Sequence, residues 1–212
     1  MINLLFQGQV ALFLLIMTAL IISLTVHEFG HALMAKLFGD DTAQRAGRLT
    51  LNPLAHLDGM GLLMVVVVGF GYAKPVPTNP RNYTSRWGDL AVSAAGPGMN
   101  LLLAAAGINF YDAALRLGYL AGPGPGAFFS YLTLINLVLM VFNLIPLGAL
   151  DGHYILPYFL TRRWAYAYQD LNARYGNMAL MGLMLLSVAG FPVFSYVMWV
   201  GQALLPWITF VS

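Results

Sequence analysis

The sequence predicts an all-α polytopic membrane protein, and two observations carry that prediction. Of its 212 residues, 59% are hydrophobic and only 8% are charged, whereas a soluble domain carries about 25% charged residues. Residues 1–26 contain no charged side chain, and residues 10–26 are apolar over a length that can enter a bilayer. We therefore expect a single integral membrane domain over residues 1–212.

The composition also argues against several other classes of protein. A formal net charge of +2 without a basic run gives no support for nucleic acid as a partner. The chain has no cysteine, so His, Asp and Glu remain as metal ligands. Residues 1–26 lack the basic region and the small-residue cleavage site of a signal peptide, so we expect a retained transmembrane helix.

Three apolar stretches are long enough to be spanning helices. The first is predicted over residues 10–38, where Gly39 supplies a stop signal. The second covers residues 90–111 and the third residues 128–147. Residues 178–211 are apolar again but are interrupted by a Gly-Phe-Pro sequence, which predicts one or two further C-terminal helices.

The pattern between the first two predicted helices is different. Residues 46–58 contain an Asn-Pro pair and alternating leucines, which favour a small β-hairpin. Its predicted strand consists of Arg48, Leu49, Thr50, Leu51 and Asn52. Residues 61–72 are apolar but fall short of the ~20 residues that a spanning helix needs, so we predict a re-entrant segment.

The distribution of Lys and Arg predicts the orientation in the membrane. If residues 61–72 do not cross, nine of the ten basic residues lie on one side and only Arg116 lies on the other. If they do cross, Lys74, Arg81 and Arg86 lie opposite the basic residues that precede them. We therefore expect the N-terminus outside and the functional site near the cytoplasmic face.

The strongest functional signal is the stretch from His27 through Glu28 to His31. Residues four apart share a face of a helix, so the two imidazoles can hold a zinc ion. Glu28, between them, can reach a water molecule on that ion. Glu28 is also the only glutamate of the chain, and an ionisable cluster at membrane depth marks a functional site by default.

A zinc site of this kind needs a third protein ligand, and four side chains are candidates. Asp151 follows the third predicted helix at the depth of the two histidines, and His153 lies two residues further on. His56 and Asp58 belong to the predicted hairpin. The topology favours Asp151, but spacing alone leaves all four open.

Five motifs occur in order between about residues 10 and 158: HEFGH, LNPLAHLDGMG, YAKPVPTNPRNY, AAGPGMN and NLIPLGALDGH. Together they resemble the site-2 protease family of intramembrane zinc metalloproteases, and more narrowly its short prokaryotic members without a PDZ or CBS domain. The resemblance implies a metalloprotease core of three transmembrane helices over residues 10–160, with accessory helices over residues 161–212. The sequence departs from the family at PLGALDG, where the usual approach is proline-rich, and at His153, where a second glycine is frequent.

The resemblance also implies roles for particular residues. His27, His31 and Asp151 would bind one Zn²⁺, Glu28 would act as the general base, and Asn143 would help to place the substrate or its oxyanion. The implied activity is cleavage of transmembrane segments of protein substrates in a prokaryotic inner (plasma) membrane. From the residues themselves, the predicted strand Arg48–Asn52 offers an edge to which an unwound substrate can add.

Two other classes of protein remain as alternatives. A membrane metal transporter would need ligands along a whole path, whereas the polar residues here cluster at one end. A non-proteolytic metal-binding membrane protein would have no need of Glu28. The substitution Glu28→Gln separates the three, because it removes a base and leaves the metal ligands intact.

Overall fold

All regular structure in residues 1–69 and 71–211, the part of the chain that this computed structural model describes, is helical. Two short 3-10 helices lie at Pro80–Asn82 and Leu156–Phe159. The α-helices are α1 (Ile2–Phe6), α2 (Val10–Leu37), α3 (Thr42–Arg45), α4 (Pro53–His56), α5 (Gly59–Val68), α6 (Gly88–Arg116), α7 (Pro123–Asn143), α8 (Asp151–Ile155), α9 (Arg162–Val188), α10 (Val193–Ala203) and α11 (Leu205–Ile208). The predicted all-α class is therefore confirmed.

The helices α2, α6 and α7 are long and apolar enough to span a membrane, and they pack against one another as a three-helix core. These are the three predicted spanning helices. The observed α2 agrees closely with the predicted range, and α6 extends beyond its predicted range at both ends. The predicted end of the third helix at residue 147 is wrong: α7 ends at Asn143, because Pro146 lacks an N–H and disfavours helical backbone before it.

Small residues bring α2 and α6 close together. A Cβ atom on Gly30 of α2 would lie 2.6 Å from Cγ of Met99 and 2.9 Å from the carbonyl oxygen of Ala95, both on α6. Lipid tails are as apolar as the side chains, so spanning helices associate through such close contacts and through interhelical hydrogen bonds. This contact holds the face of α2 that carries the two histidines directly against α6.

The C-terminal helices lie beside this core. α9 and the pair α10–α11 are bent by 92° relative to each other, and together they meet the same length and hydropathy requirements as one broken span. α10 packs against α7, whereas α9 packs mainly against α10 and the 3-10 helix Leu156–Phe159. α9 is therefore a peripheral helix.

Residues 39–83 form a long connection that starts at the C-terminal end of α2, which we predict to be cytoplasmic, and returns to it. At that point the backbone N–H of Thr84 donates to the carbonyl oxygen of Phe38 (2.8 Å). The fully buried Asp40 fastens this excursion. Its carboxylate accepts hydrogen bonds from the backbone N–H of Asn79 (2.6 Å), from Nδ2 of Asn82 (2.8 Å) and from the hydroxyl and N–H of a neighbouring threonine. Burial alone would raise the pKa of Asp40, but these donors outweigh it and hold the pKa at about 2.

The predicted β-hairpin is wrong, since the described residues contain no strand. Asn52 instead caps α4 by accepting from the backbone N–H of Leu54 (3.1 Å). Arg48 is buried and donates to the carbonyl oxygen of Lys74, while Nε2 of His56 bonds to the carbonyl oxygen of Thr50 (2.8 Å). These contacts engage the N–H of Leu54 and the carbonyl oxygen of Thr50, two backbone groups of the predicted hairpin, and a short Leu/Thr alternation supplies no second strand to compete with them.

The predicted re-entrant segment 61–72 overlaps most of α5 (Gly59–Val68), whose ten residues extend only about 15 Å. That is half of the ~30 Å hydrocarbon core of a bilayer. Asp58 begins the helix by accepting from the backbone N–H of Gly61 (2.9 Å). Of the predicted segment 61–72, Phe70 lies outside the described residues; the length of α5 supports the prediction that the segment does not cross.

Candidate metal centre

His27 and His31 lie one turn apart on α2, with their rings facing α6. The ring centroids are 4.7 Å apart and the two Nε2 atoms are 3.1 Å apart. Gly96 of α6 lies directly against both rings: a Cβ there would be 2.6 Å from Cε1 of each ring and would overlap Nε2 of His31. Only glycine leaves room for the two imidazoles at this crossing.

Asp151 is the first residue of α8 and points into the same space. Its Oδ2 lies 3.3 Å from Nε2 of His27, and its Oδ1 lies 3.4 Å from Nε2 of His31. The donor atoms of these three residues all lie within 4.8 Å of one another, and they form the one such His/Asp/Glu group among the described residues. The structure thus brings together three of the residues that the sequence nominated as metal ligands.

The other three candidates for the third ligand are engaged elsewhere. Asp58 caps α5, and the fully buried His56 bonds to the backbone of residue 50. Nδ1 of His153 lies 3.2 Å from the hydroxyl of Tyr168, and burial lowers the pKa of His153 below its ordinary value. None of the three reaches the histidine pair, so Asp151 is the candidate that geometry favours.

The hydrogen bonds of the two histidines determine which ring nitrogen carries the proton. Nδ1 of His31 lies 2.7 Å from the carbonyl oxygen of Val92, which can only accept. Nδ1 of His27 lies 2.6 Å from Oδ1 of Asn100. Both rings therefore carry hydrogen on Nδ1, and in the neutral imidazoles Nε2 presents a lone pair to the centre.

The orientation of the Asn100 amide is itself fixed by a buried network across three helices. Its Nδ2 donates to the carbonyl oxygen of Ser23 on α2 (3.2 Å) and to Oδ1 of Asn136 on α7 (2.7 Å). Nδ2 of Asn136 donates in turn to the hydroxyl of Ser23 (2.7 Å), which donates to the carbonyl oxygen of Ala19 (2.7 Å). Because a backbone carbonyl only accepts, neither the Asn100 amide nor the Ser23 hydroxyl can be reversed, and Oδ1 of Asn100 must face His27.

The donor set has the chemistry of a zinc site. With both imidazoles neutral, two Nε2 lone pairs and a carboxylate face one another at 3.1–3.4 Å, an arrangement that repels itself unless a cation is present. Oδ2 of Asp151 is buried and has no hydrogen-bond partner. Ligands at about 2.0–2.1 Å from a tetrahedral Zn²⁺ lie ~3.3 Å from one another, which matches these separations.

A cavity of about 730 Å³ opens beside this centre. Its lining includes the three ligand candidates together with Glu28 and Asn143. Glu28 is 8% exposed, and its Oε2 accepts a hydrogen bond from the backbone N–H of Val76 (3.0 Å). One N–H of the Asn143 amide donates to the carbonyl oxygen of Leu139 (3.0 Å), which leaves its second N–H for another acceptor.

The predicted substrate strand does not reach this cavity. Arg48–Asn52 is absent from the described lining, which instead includes most of residues 71–78. These residues run without regular structure, and the N–H of Lys74 donates to the carbonyl oxygen of His56 (2.8 Å). The role of Arg48–Asn52 in substrate binding stays a prediction, and the hairpin on which it was based is wrong.

Four residues around the histidines were missed by sequence reasoning: Ser23, Gly96, Asn100 and Asn136. Gly96 and Asn100 fall in the AAGPGMN motif, which contributed to the family resemblance without a role being assigned to either residue. A signal was present, because an amide in the middle of an apolar helix must find a polar partner. Ser23, Asn100 and Asn136 place one polar residue in each of the three spanning helices, and they are partners for one another.

The fold and the site define a helical membrane protein in which two histidines and one aspartate form a candidate metal centre in the last third of the first spanning helix. The model of peptidase family M50 matches the chain over residues 15–116 and 108–189. The chain belongs to this family.

Relatives of the chain are described as zinc enzymes. "Putative zinc metalloprotease YwhC" of Bacillus subtilis is 47% identical over 144 residues, which cover 65% of this chain and 65% of YwhC. "Putative zinc metalloprotease Rip2" of Mycolicibacterium smegmatis is 30% identical over 158 residues (69% and 57%), and Rip2 of Mycobacterium tuberculosis is 31% identical over 149 residues (66% and 55%). The matched part spans less than two thirds of each relative's length. No solved structure matches the chain significantly.

Proposed function

We propose that this protein is an intramembrane zinc-dependent endopeptidase that cleaves transmembrane segments of membrane proteins. One observation carries the proposal: two imidazole lone pairs and a carboxylate converge beside Glu28 in a cavity bordered by spanning helices. Hydrolysis of a peptide bond needs a Lewis acid and a base at one place, and this arrangement supplies the ligands for the first and a side chain for the second.

We propose one Zn²⁺ per chain, held by Nε2 of His27, Nε2 of His31 and the carboxylate of Asp151. Three protein ligands are typical of catalytic zinc sites, which keep a further position open. When bound, Zn²⁺ would polarise the scissile carbonyl and lower the pKa of water, so that water can lose a proton and attack near neutral pH.

Glu28 is the general base in this proposal. The N–H of Val76 orients its carboxylate through Oε2, and the other oxygen is left to take a proton from the attacking water. Glu28 then holds the proton and passes it to the leaving nitrogen. The second N–H of Asn143 donates to the oxyanion that develops on the scissile carbonyl.

The substrate must be unwound before its carbonyls can react, because a transmembrane helix satisfies its own hydrogen bonds. An extended substrate can pair with backbone groups that border the cavity. Residues 71–78 are our candidates for that role because most of them line the cavity, whereas the predicted strand Arg48–Asn52 is absent from its described lining.

The test is co-expression of the protein with a panel of single-pass membrane proteins, comparing wild type with Glu28→Gln. The variant should keep its zinc and lose cleavage by at least a hundredfold, since general-base catalysis contributes about 10²–10⁴. Asp170→Ala on the exposed surface of α9 is the matched control and should cleave as wild type does. Cleavage by Glu28→Gln at the wild-type rate would refute the assignment, and metal uptake that survives the substitution would favour a transporter.

We also propose that the N-terminus lies outside and that the metal centre lies near the cytoplasmic face. Nine of the ten basic residues then share the cytoplasmic side. Because the chain has no cysteine, single cysteines can be introduced on each side of α5 and after α7. Cysteines at Asp41, Arg81 and Arg163 should all react with an impermeant reagent from the cytoplasmic side. Reaction of the Arg81 position only from outside would show that α5 crosses.

A further inference from the structure

The loop of residues 144–150 connects α7 to α8 and delivers Asp151 to the metal centre. Asn172 of the peripheral helix α9 binds the backbone of one loop residue, Gly148, at two points. Its Oδ1 accepts from the backbone N–H of Gly148 (2.8 Å), and its Nδ2 donates to the carbonyl oxygen of the same residue (2.9 Å). A side-chain amide so placed satisfies both polar groups of Gly148, which is buried.

The backbone conformation and the close packing at position 148 strongly favour glycine. Its φ of +61° lies in the left-handed region that side chains with a Cβ rarely adopt. A Cβ there would also lie 3.0 Å from Cδ2 of Leu180 and 3.2 Å from Oδ1 of Asn177, both on α9. The loop is therefore pressed against α9 at this point.

Tyr168, one turn before Asn172 on the same face of α9, makes a second attachment. Its hydroxyl donates to the carbonyl oxygen of Pro146 (3.0 Å) and lies 3.2 Å from Nδ1 of His153. The backbone is thus fastened to α9 at residues 146 and 148, before Asp151, and through a side chain at residue 153, after it. Oδ2 of Asp151 has no hydrogen-bond partner of its own, so the position of this carboxylate depends on the backbone that carries it.

We propose that α9 sets the position of the metal ligand Asp151, with Asn172 and Tyr168 as positioning residues. α9 packs mainly against α10 and the 3-10 helix Leu156–Phe159 rather than against the three-helix core. These two side chains supply its hydrogen bonds to the loop that precedes Asp151, and Leu180 and Asn177 pack against the same loop. The inference rests on the metal site of the proposed function but does not require peptidase activity.

The test is a double-mutant cycle on zinc affinity, measured by competition with a chelator on the purified full chain. Asn172→Ala should weaken zinc binding about tenfold, the lower end of the range for residues that orient a ligand. In an Asp151→Asn background, where the carboxylate ligand is already lost, Asn172→Ala should weaken binding less than twofold further. A general loosening of the fold would instead weaken binding by the same factor in both backgrounds, and that result would overturn the proposal.

Two further variants keep the test decisive. Tyr168→Phe removes a single oxygen atom and should weaken zinc binding several-fold, again only when Asp151 is present. Asp170→Ala lies on the same helix, where Asp170 pairs with Arg174 at an exposed position (2.9 Å), and it should bind zinc as wild type does. If Asn172→Ala does not fold, the cycle with Tyr168→Phe decides, and wild-type affinity in that variant would refute the proposal.

A spectroscopic measurement gives an independent readout of the ligand. With Co²⁺ in place of zinc, the visible absorption of Asn172→Ala should shift towards that of Asp151→Asn, because both disturb the same ligand. An unchanged spectrum in Asn172→Ala would contradict the inference. Failure of the proposed function looks different: the wild type would bind zinc through Asp151, respond to Asn172→Ala, and cleave no membrane protein.

Discussion

Replacing Asn100 by leucine should weaken zinc binding although Asn100 is not a ligand. The two side chains are similar in size, but leucine can neither accept from Nδ1 of His27 nor donate to Ser23 and Asn136. The first loss removes the contact that fixes the orientation of the His27 ring and keeps its proton on Nδ1. The other two losses leave Oδ1 of Asn136 and the carbonyl oxygen of Ser23 buried without the hydrogen bonds that the Asn100 amide donates.

The magnitude follows from these contacts. Each buried polar group that loses its partner costs about 1–3 kcal/mol, so the free energy of unfolding without metal should fall by about 3 kcal/mol or more. Loss of the partner that orients a ligating histidine typically lowers metal affinity 10–100-fold. The zinc-dependent part of the stability should therefore shrink by about 1.4–2.7 kcal/mol.

The assay is thermal or denaturant unfolding in detergent with and without a chelator, together with zinc affinity by competition. Asn109→Leu is the matched control on α6, since Asn109 accepts from the backbone N–H groups of Phe210 (2.6 Å) and Val211 (3.0 Å) and does not contact the metal centre. The control should lose stability and keep its zinc affinity. Zinc affinity within twofold of wild type in Asn100→Leu would refute the role given to the network.

Two further predictions use the packing and the charges described above. Gly96→Ala should abolish zinc binding because its Cβ would overlap both histidine rings. Gly98→Ala on the same helix has open space at its Cβ position and should bind zinc normally. Metal analysis of the two purified variants checks this prediction, and equal zinc contents would contradict it. Lowering the pKa of Asp40 from 3.8 to about 2 stabilises the folded state by about 2 kcal/mol above pH ~4, and this contribution is lost as the pH falls towards 2. Stability measured against pH with chelator present should therefore decline over that window in wild type and less so in Asp40→Asn, and parallel curves would show that Asp40 does not carry the effect.

The sequence predicted the parts of the fold that depend on long, uniform patterns. A run of apolar residues longer than a bilayer is thick leaves few alternatives to a spanning helix, so α2 was placed to within a residue. The end of α7 was misplaced because hydropathy continues to residue 147 while the backbone is stopped by Pro146. Hydropathy indicates which residues can lie in the bilayer, but it does not indicate at which residue a helix ends.

Short segments were predicted less well, for a different reason. The alternation around Leu49 and Leu51 is only a few residues long, and the contacts of the Arg48 side chain and of the His56 carbonyl with the backbone of Lys74 decided the local structure. Such contacts join residues far apart in the chain and leave no periodic trace in it.

The metal centre shows the same division between local and distant information. The spacing of His27 and His31 is local, and it correctly placed both on one face of a helix. The candidate for the third ligand depends on how α8 packs against α6 beside the histidines, so four candidates remained until the structure brought Asp151 close to them. Asn100 was overlooked because an amide that orients a ligand has no spacing rule.

The buried network has a consequence for how the protein is made. Its hydroxyl and amides come from the first, second and third spanning helices, and Asp151 follows the third. During synthesis, both histidines are in place early, but nothing yet fixes the proton on His27 or closes the donor set. A metal-competent centre therefore arises only after the last of the three helices has inserted and docked. Capture of zinc thus marks completed assembly in the membrane, and a chain interrupted before residue 151 has no closed donor set with which to hold the metal.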